Sequence, residues 1–288
     1  LTHQEPRKTR KNMNRSLLHR DDNFMSFVAN VRSRRVLLLS MLYLLDPRNP
    51  QAPFPDVEMA KQKPDGLLAV GGDLSVTRLV NAYRRGIFPW FGVGDPILWW
   101  SPDPRTTLFP ERLRISRTLR KTLRKGHFGA TMDRDFDAVI TACARRPGSG
   151  GTWLVPEMIS AYRRLHRRGF AHSIEIWQDG TLAGGLYGVA IGRVFFGESM
   201  FTRISNASKV ALVHLCGRLA AWSFCLIDCQ VLTVHLIRMG AEQIPRADFI
   251  RLLDRWCSCP NQPTSWDDGR ISLPFAPGDK SVGSVAGS

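Results

Sequence analysis

The stretch HSIEIWQDGTLAGGLYGVAIGRVFFGESMF, residues 172–201, decides the fold. Its period is two along HSIEIWQ, TLAGGLYGVAI and RVFFGESMF, as strands require. Asp179-Gly180 is a hairpin turn signal and Gly192 marks a second turn. An antiparallel meander is expected. One carboxylate, Glu198, sits among apolar or small residues in the last run. Buried without a partner, a carboxylate is costly or keeps its proton. Glu198 therefore needs a partner or a task.

The surroundings of the meander define the class. PEMISAYRRLHRRG precedes it as an amphipathic helix, with Met158, Ile159, Tyr162 and Leu165 inward and Gly169 as its stop. SNASKVALVHLCGRLAAW follows as a helix capped by Ser205 or Asn206. FCLIDCQVL is then a buried strand, and LIRMG and RADFIRLLDRW end the ordered part as helices. Meander, helix and further strand make an α+β layout, compatible with a GNAT-like acyltransferase domain. Fold alone does not give chemistry.

Upstream, GLLAVGGD reads as a strand ending in a Gly-Gly turn. Asp73 or Ser75 caps the next helix, on which Leu79, Ala82 and Tyr83 share a face. The expected organisation is a basic arm over 1–45 and a small mixed α/β N-terminal domain over 46–105. A GNAT-like catalytic domain follows over 106–258, then a loose tail over 259–288 rich in Pro, Gly and Ser. Residues 1–35 carry nine Lys/Arg against three Asp/Glu. A disordered arm is favoured over an export signal, because the apolar run VLLLSMLYLL is short and prolines follow it. A translation start at Met41 is a third option.

The 288 residues are 43% hydrophobic, with a formal net charge of +15. Such a chain folds, and its charge suits a partner rich in phosphates, or an acidic membrane surface. No apolar run reaches the roughly 18 residues of a membrane span. The six cysteines form no CxxC pair, so they are expected reduced, with no structural zinc.

Two further stretches carry candidate chemistry. In ERLRISRTLRKTLRKG, Arg117, Lys121 and Arg124 share a helical face, either as a phosphate-binding stripe or as a solvated surface. In LIDCQVL, alternation puts Asp228 and Gln230 on one face and Ile227, Cys229 and Val231 on the other. The pair is either a hydrogen-bonded core feature or, with Glu198, a site. Phe195, Phe196, Met200, Phe201 and Ile227 are candidate walls for an apolar side chain. A CoA-dependent enzyme would place a Gly-rich loop before the helix after the meander. TRISNASK offers no glycine there.

FPDVE, GLLAVGGDLS, YRRGIFPWF, DPILWWSPDPR, GTW, AYRRLHRRGFAHSIE, GGLYGVAIG, FFGESMF, NASK and LIDCQVL occur in that order. With them, residues 43–255 resemble the leucyl/phenylalanyl-tRNA–protein transferase family. The resemblance implies a cytoplasmic, monomeric enzyme of the N-degron pathway that needs no metal, ATP or other cofactor. It implies transfer of Leu or Phe, less well Met, from aminoacyl-tRNA to acceptor proteins with N-terminal Arg or Lys. It implies Asp228 and Gln230 as the catalytic pair, acting by proton relay or by positioning. Glu198 would contact the α-amino group of the bound residue, with Phe195, Met200 and Ile227 along its pocket. Phe195 and Glu198 can reach one pocket only if alternation breaks between them, so a bulge or twist is expected at Gly197. Trp90 and Trp153 would flank the terminal adenosine with Tyr162 nearby, and the basic helix would track tRNA phosphates. Where the family usually has Asn and a later Thr, this chain has Thr233 and Leu236. That change suggests an altered hydrogen bond near Gln230. A CoA-dependent acyltransferase and a non-catalytic tRNA-binding protein are the rival readings.

Overall fold

A computed structural model of the protein describes residues 42–145, 154–260 and 265–267. Two sheets organise these residues. The smaller has four strands, β1 (Tyr43–Leu45), β2 (Leu67–Gly71), β3 (Phe88–Pro89) and β4 (Leu98–Trp100), in the order β1-β2-β4-β3. Helix α1 (Val76–Arg84) connects β2 to β3. Ser75 caps it, accepting from the Arg78 amide at 3.2 Å, while Asp73 accepts from the Ser75 amide at 2.8 Å. Both candidate caps are thus used, one on the helix and one on the cap. Tyr43–Leu45 belonged to the expected arm, but pairs in parallel with Ala69–Gly71.

The larger sheet has seven strands in the order β11-β5-β10-β9-β8-β7-β6. The meander is its centre: β7 (Ala171–Gln178), β8 (Thr181–Ile191) and β9 (Val194–Thr202) pair antiparallel. β5 (Arg105–Leu108), β6 (Gly129–Met132), β10 (Leu226–Gln230) and β11 (Glu242–Ile244) complete it. β9 and β10 pair in parallel over Leu226–Asp228 against Val194–Phe196 and then part. Helices α3 (Phe136–Ala144) and α4 (Pro156–Arg167) pack on one face, in a core shared with α1 and the small sheet. On the other face lie α2 (Arg117–Arg124), α5 (Ala207–Ala221) and the short α6 (Val234–Arg238). α7 (Arg246–Trp256) closes the chain against the first core through Phe249 and Leu253. The architecture is an α+β layout with a small sheet before a larger mixed one.

Two local expectations change. The tail was expected to be loose, yet Trp266 is buried: its ring stacks on His172 at 4.0 Å and also meets Trp222, Phe195 and Phe224. An aromatic side chain buries enough surface to anchor a short segment of otherwise polar chain. Asn206 begins α5, but its side chain does not cap; it accepts from Lys209 and donates to Thr122 on α2. All six cysteines are free thiols. No helix among the described residues is long and apolar enough to cross a membrane.

Gly188 is a tight point within the strands of the meander. A Cβ there would lie 2.2 Å from the Phe196 carbonyl oxygen and 2.5 Å from the Phe195 ring. The backbone carbonyl cannot step aside without breaking the ladder. Gly188→Ala is expected to lower stability by about 3 kcal/mol in urea denaturation, near the top of the overpacking range.

Candidate active site

The site lies where β9 and β10 part. β8 and β9 keep register up to Gly188–Gly197 and resume it at Tyr187–Ser199, so Glu198 is the extra residue of a bulge. The break falls one residue after the Gly197 position expected from the sequence. It turns Glu198 toward the first core, where two phenols meet it. The Tyr83 hydroxyl lies 2.8 Å from Glu198 Oε1, and that of Tyr162 lies 2.5 Å from Oε2. The two hydroxyls are 2.8 Å apart. Across the gap between the strands, Gln230 Nε2 donates to Glu198 Oε1 at 2.9 Å.

Gln230 reaches that position through an unusual backbone. Its φ is +59°, in the left-handed region, and the pairing of β10 with β5 loses register between Asp228 and Gln230. Plain strand alternation, expected to put the two on one face, therefore ends at Asp228. A different contact joins them: the Gln230 amide donates to Asp228 Oδ1 at 2.9 Å.

Asp228 is itself fully engaged. Arg105, at the start of β5, donates Nε to Oδ1 at 2.8 Å and Nη2 to Oδ2 at 2.7 Å. Both side chains are buried. The guanidinium also donates to the Gly86 carbonyl at 3.1 Å and lies 4.8 Å from the ring centres of both Phe88 and Phe249. Sequence reading missed Arg105, because the final Arg of DPILWWSPDPR looks like a turn-end cation. It missed the role of Tyr83 too, whose spacing on α1 reads as core.

Burial pushes the Glu198 carboxyl up from its ordinary 4.5 to about 7, and the Asp228 charge adds to the rise. Bonds from Tyr162, Tyr83 and Gln230 oppose it. Tyr83 and Tyr162 are held well above the usual phenol range, by burial first and the Glu198 charge second. Tyr162, expected beside an adenosine, is wholly buried in this cluster.

The expected apolar walls divide between the two faces of the sheet. Phe196 and Phe201 lie in the first core with Tyr83 and Tyr162. Phe195, Ile227 and the half-buried Met200 lie in the second, beneath α5. The two groups meet only where the strands part, so they do not surround a single hollow on the Glu198 side. Trp90 is half-buried, with its ring 5.9 Å from that of Trp100. Trp153 lies outside the described residues. Beside Trp90, a groove of about 970 Å³ runs between residues 91–97 and the start of α4, lined by Phe91, Val155, Pro156 and Arg164 among others. Arg117, Lys121 and Arg124 are exposed on α2, while Leu119 and Leu123 face the core. Thr233 caps α6, its hydroxyl accepting from the Leu236 amide at 3.2 Å. Thr serves well as a helix N-cap. The Leu236 side chain joins the second core.

The one parallel pair of the large sheet parts midway and leaves a carboxylate and an amide facing across the gap, an arrangement suited to binding and positioning polar groups. Sequence comparison gives the family. The model of the leucyl/phenylalanyl-tRNA protein transferase family matches residues 107–254, and that of its N-terminal domain matches 72–103. The leucyl/phenylalanyl-tRNA–protein transferase of Methylococcus capsulatus is 57% identical over 240 residues, covering 83% of this chain and 99% of that protein. That of Azotobacter vinelandii is 60% identical over 197 residues, covering 68% and 87%. The chain belongs to the leucyl/phenylalanyl-tRNA–protein transferase family and is an aminoacyltransferase. Among solved structures, a GCN5-related N-acetyltransferase from Kribbella flavida aligns over 56% of this chain and 58% of that one, at 14% identity and a TM-score of 0.29. A likeness that distant adds nothing to the assignment.

The raised pKa of Glu198 is also a stability statement. The folded chain keeps a proton that the unfolded chain releases, so stability falls as pH rises from about 4.5 to about 7. Gln carries no such charge. Glu198→Gln is expected to raise unfolding free energy by roughly 3 kcal/mol at about pH 8 and by less than about 1 kcal/mol at about pH 5. Urea titrations at both pH values measure the difference.

Proposed function

We propose that the protein transfers Leu or Phe, less well Met, from aminoacyl-tRNA to acceptor proteins with N-terminal Arg or Lys, marking them for N-degron degradation in the cytoplasm. One observation carries the reading: Glu198 and Gln230 face each other across the gap between β9 and β10, with apolar side chains of both cores at its base. An acidic group beside apolar side chains suits the α-amine and side chain of a hydrophobic aminoacyl ester. Glu198 binds the amine. Phe195, Met200 and Ile227 meet the side chain from below the parting strands.

The ester is already activated, so the enzyme needs no further energy source. The acceptor's α-amine must be neutral and must be aimed at the ester carbonyl. Gln230 neither gains nor loses a proton near neutrality. Its amide oxygen accepts from the acceptor amine and sets its approach. Asp228 is bound by Arg105 on both oxygens, and this favours positioning over proton relay. It holds the Gln230 backbone in the left-handed conformation and thereby aims the side chain. Such positioning is worth several kcal/mol of barrier. The groove beside Trp90 suits the terminal adenosine, and Arg117, Lys121 and Arg124 suit the phosphates that follow it.

The direct test offers labelled Phe-tRNA and peptides beginning with Arg, Lys or Ala. Transfer to Arg and Lys but not Ala is expected. Transfer from acyl-CoA alone, or tRNA binding without transfer, overturns the reading. Gln230→Ala is expected to lower kcat about 10- to 100-fold with little change in tRNA affinity, the loss of one positioning hydrogen bond. Equal losses in both would place Gln230 in tRNA binding instead. Lys121→Ala with Arg124→Ala should weaken tRNA binding and lower the slope of log affinity against log salt by about 1 to 2. An unchanged slope would make the stripe an ordinary solvated face.

A further inference from the structure

The contacts of Glu198 contain a proton count. Glu198, Tyr83 and Tyr162 form a closed triangle of oxygen–oxygen contacts at 2.8, 2.5 and 2.8 Å. Each phenol brings one proton. With an ionised carboxylate, two protons must serve three contacts, and one contact is left with lone pairs facing each other. With one more proton the triangle closes: Glu198 Oε2 donates to Tyr162, Tyr162 to Tyr83, and Tyr83 to Glu198 Oε1. Gln230 Nε2 still donates to Oε1, which has room for two. Every polar atom is then satisfied, as buried groups require.

We propose that Glu198, Tyr83 and Tyr162 share one proton in the empty site, and that a primary ammonium group docking on Glu198 expels it. The proposal rests on the aminoacyl-binding reading of this site. The exchange balances simply. A carboxylic acid and an arriving ammonium become a carboxylate–ammonium pair, one O–H bond breaks, and one proton leaves to solvent. The ammonium replaces the positive charge of the departing proton and donates to the carboxylate from outside the triangle, and the one contact left without a proton lengthens. Tyr83 and Tyr162 are positioning residues here, since they act through Glu198.

The surroundings fit this exchange. The Arg105 guanidinium is already paired with Asp228 on the neighbouring strand, and the Asp228 charge disfavours a second anion at Glu198. Tyr187 on β8 meets Tyr162 edge to face, with ring centres 5.3 Å apart. Gln230 does not titrate. Among the described residues, none of the side chains hydrogen-bonded to Glu198 is cationic. The rise of the Glu198 carboxyl to about 7 agrees with the count. Holding a neutral acid until a cation arrives spares the empty site a buried, unbalanced charge.

Two measurements test this. The first is difference infrared spectroscopy of the free protein, wild type against Glu198→Gln, on both sides of neutrality. A carboxylic acid carbonyl band is expected in the wild type below neutrality and should fade above it. Glu175, also buried with a raised pKa, cancels in the subtraction. A wild type already ionised on the acid side would overturn the shared proton. The second is calorimetric titration with phenylalanine methyl ester at mildly acid pH, in two buffers of different ionisation enthalpy. Release of about one proton per ester bound is expected. Buffer-independent heats, or no binding where the acid band is present, would overturn the expulsion step. Failure of the parent reading shows elsewhere, as absent transfer from Phe-tRNA, and leaves the infrared result standing.

Discussion

A guanidinium held between two aromatic rings is the constraint on which the site depends. Arg105 draws together the turn at Gly86, strand β3 through Phe88, helix α7 through Phe249, and the end of β10 through Asp228. Dehydrating two charges costs several kcal/mol each, and their attraction does little more than offset that cost. The pair is therefore poor evidence of stability. It fixes geometry instead: a bidentate bond has one good orientation. Asp228 can then meet the Gln230 amide in one place only, and the side chain of Gln230 follows.

The site also depends on regular sheet structure failing twice within a few ångströms. β9 gains one residue at Glu198, and β10 turns left-handed at Gln230. A left-handed non-glycine residue costs of order 1 kcal/mol or more, and it persists only where its neighbours insist on it. Here the neighbours are Asp228 Oδ1 on the amide and Glu198 Oε1 on the side chain. Had both strands stayed regular, Glu198 and Gln230 would have continued the ladder instead of facing across a gap.

Much of this was legible in the sequence. The period-two runs and the Asp-Gly turn specify the meander because those signals are local, whereas the bulge beside Gly197 was expected from the resemblance, which asks Phe195 and Glu198 to reach one pocket. Asp228 and Gln230 stood out because polar residues are rare in an apolar strand. The partners of these groups did not stand out. Tyr83 follows the apolar period of its helix, and a phenol differs from a phenyl by one atom. Arg105 ends a turn-rich motif and gives no sign of a carboxylate more than a hundred residues along the chain. Phe195 and Ile227 fit the pattern of pocket walls, and the sheet places them in the second core at the foot of the parting strands. Thr233 gave no sign in the sequence that it would cap the short helix after β10.

Trp266 gives the carboxyl-terminal part of the chain a mechanical role. Its ring is wedged among His172 on β7, Phe195 on β9, and the Trp222 and Phe224 rings that lead into β10. Phe195 is three residues from Glu198, just below the point where the strands diverge. Tension on the segment beyond α7, as from an unfolding motor that grips the end of the chain, would load this wedge early. Extraction of the indole would loosen the root of the cleft while most of the sheet was still intact.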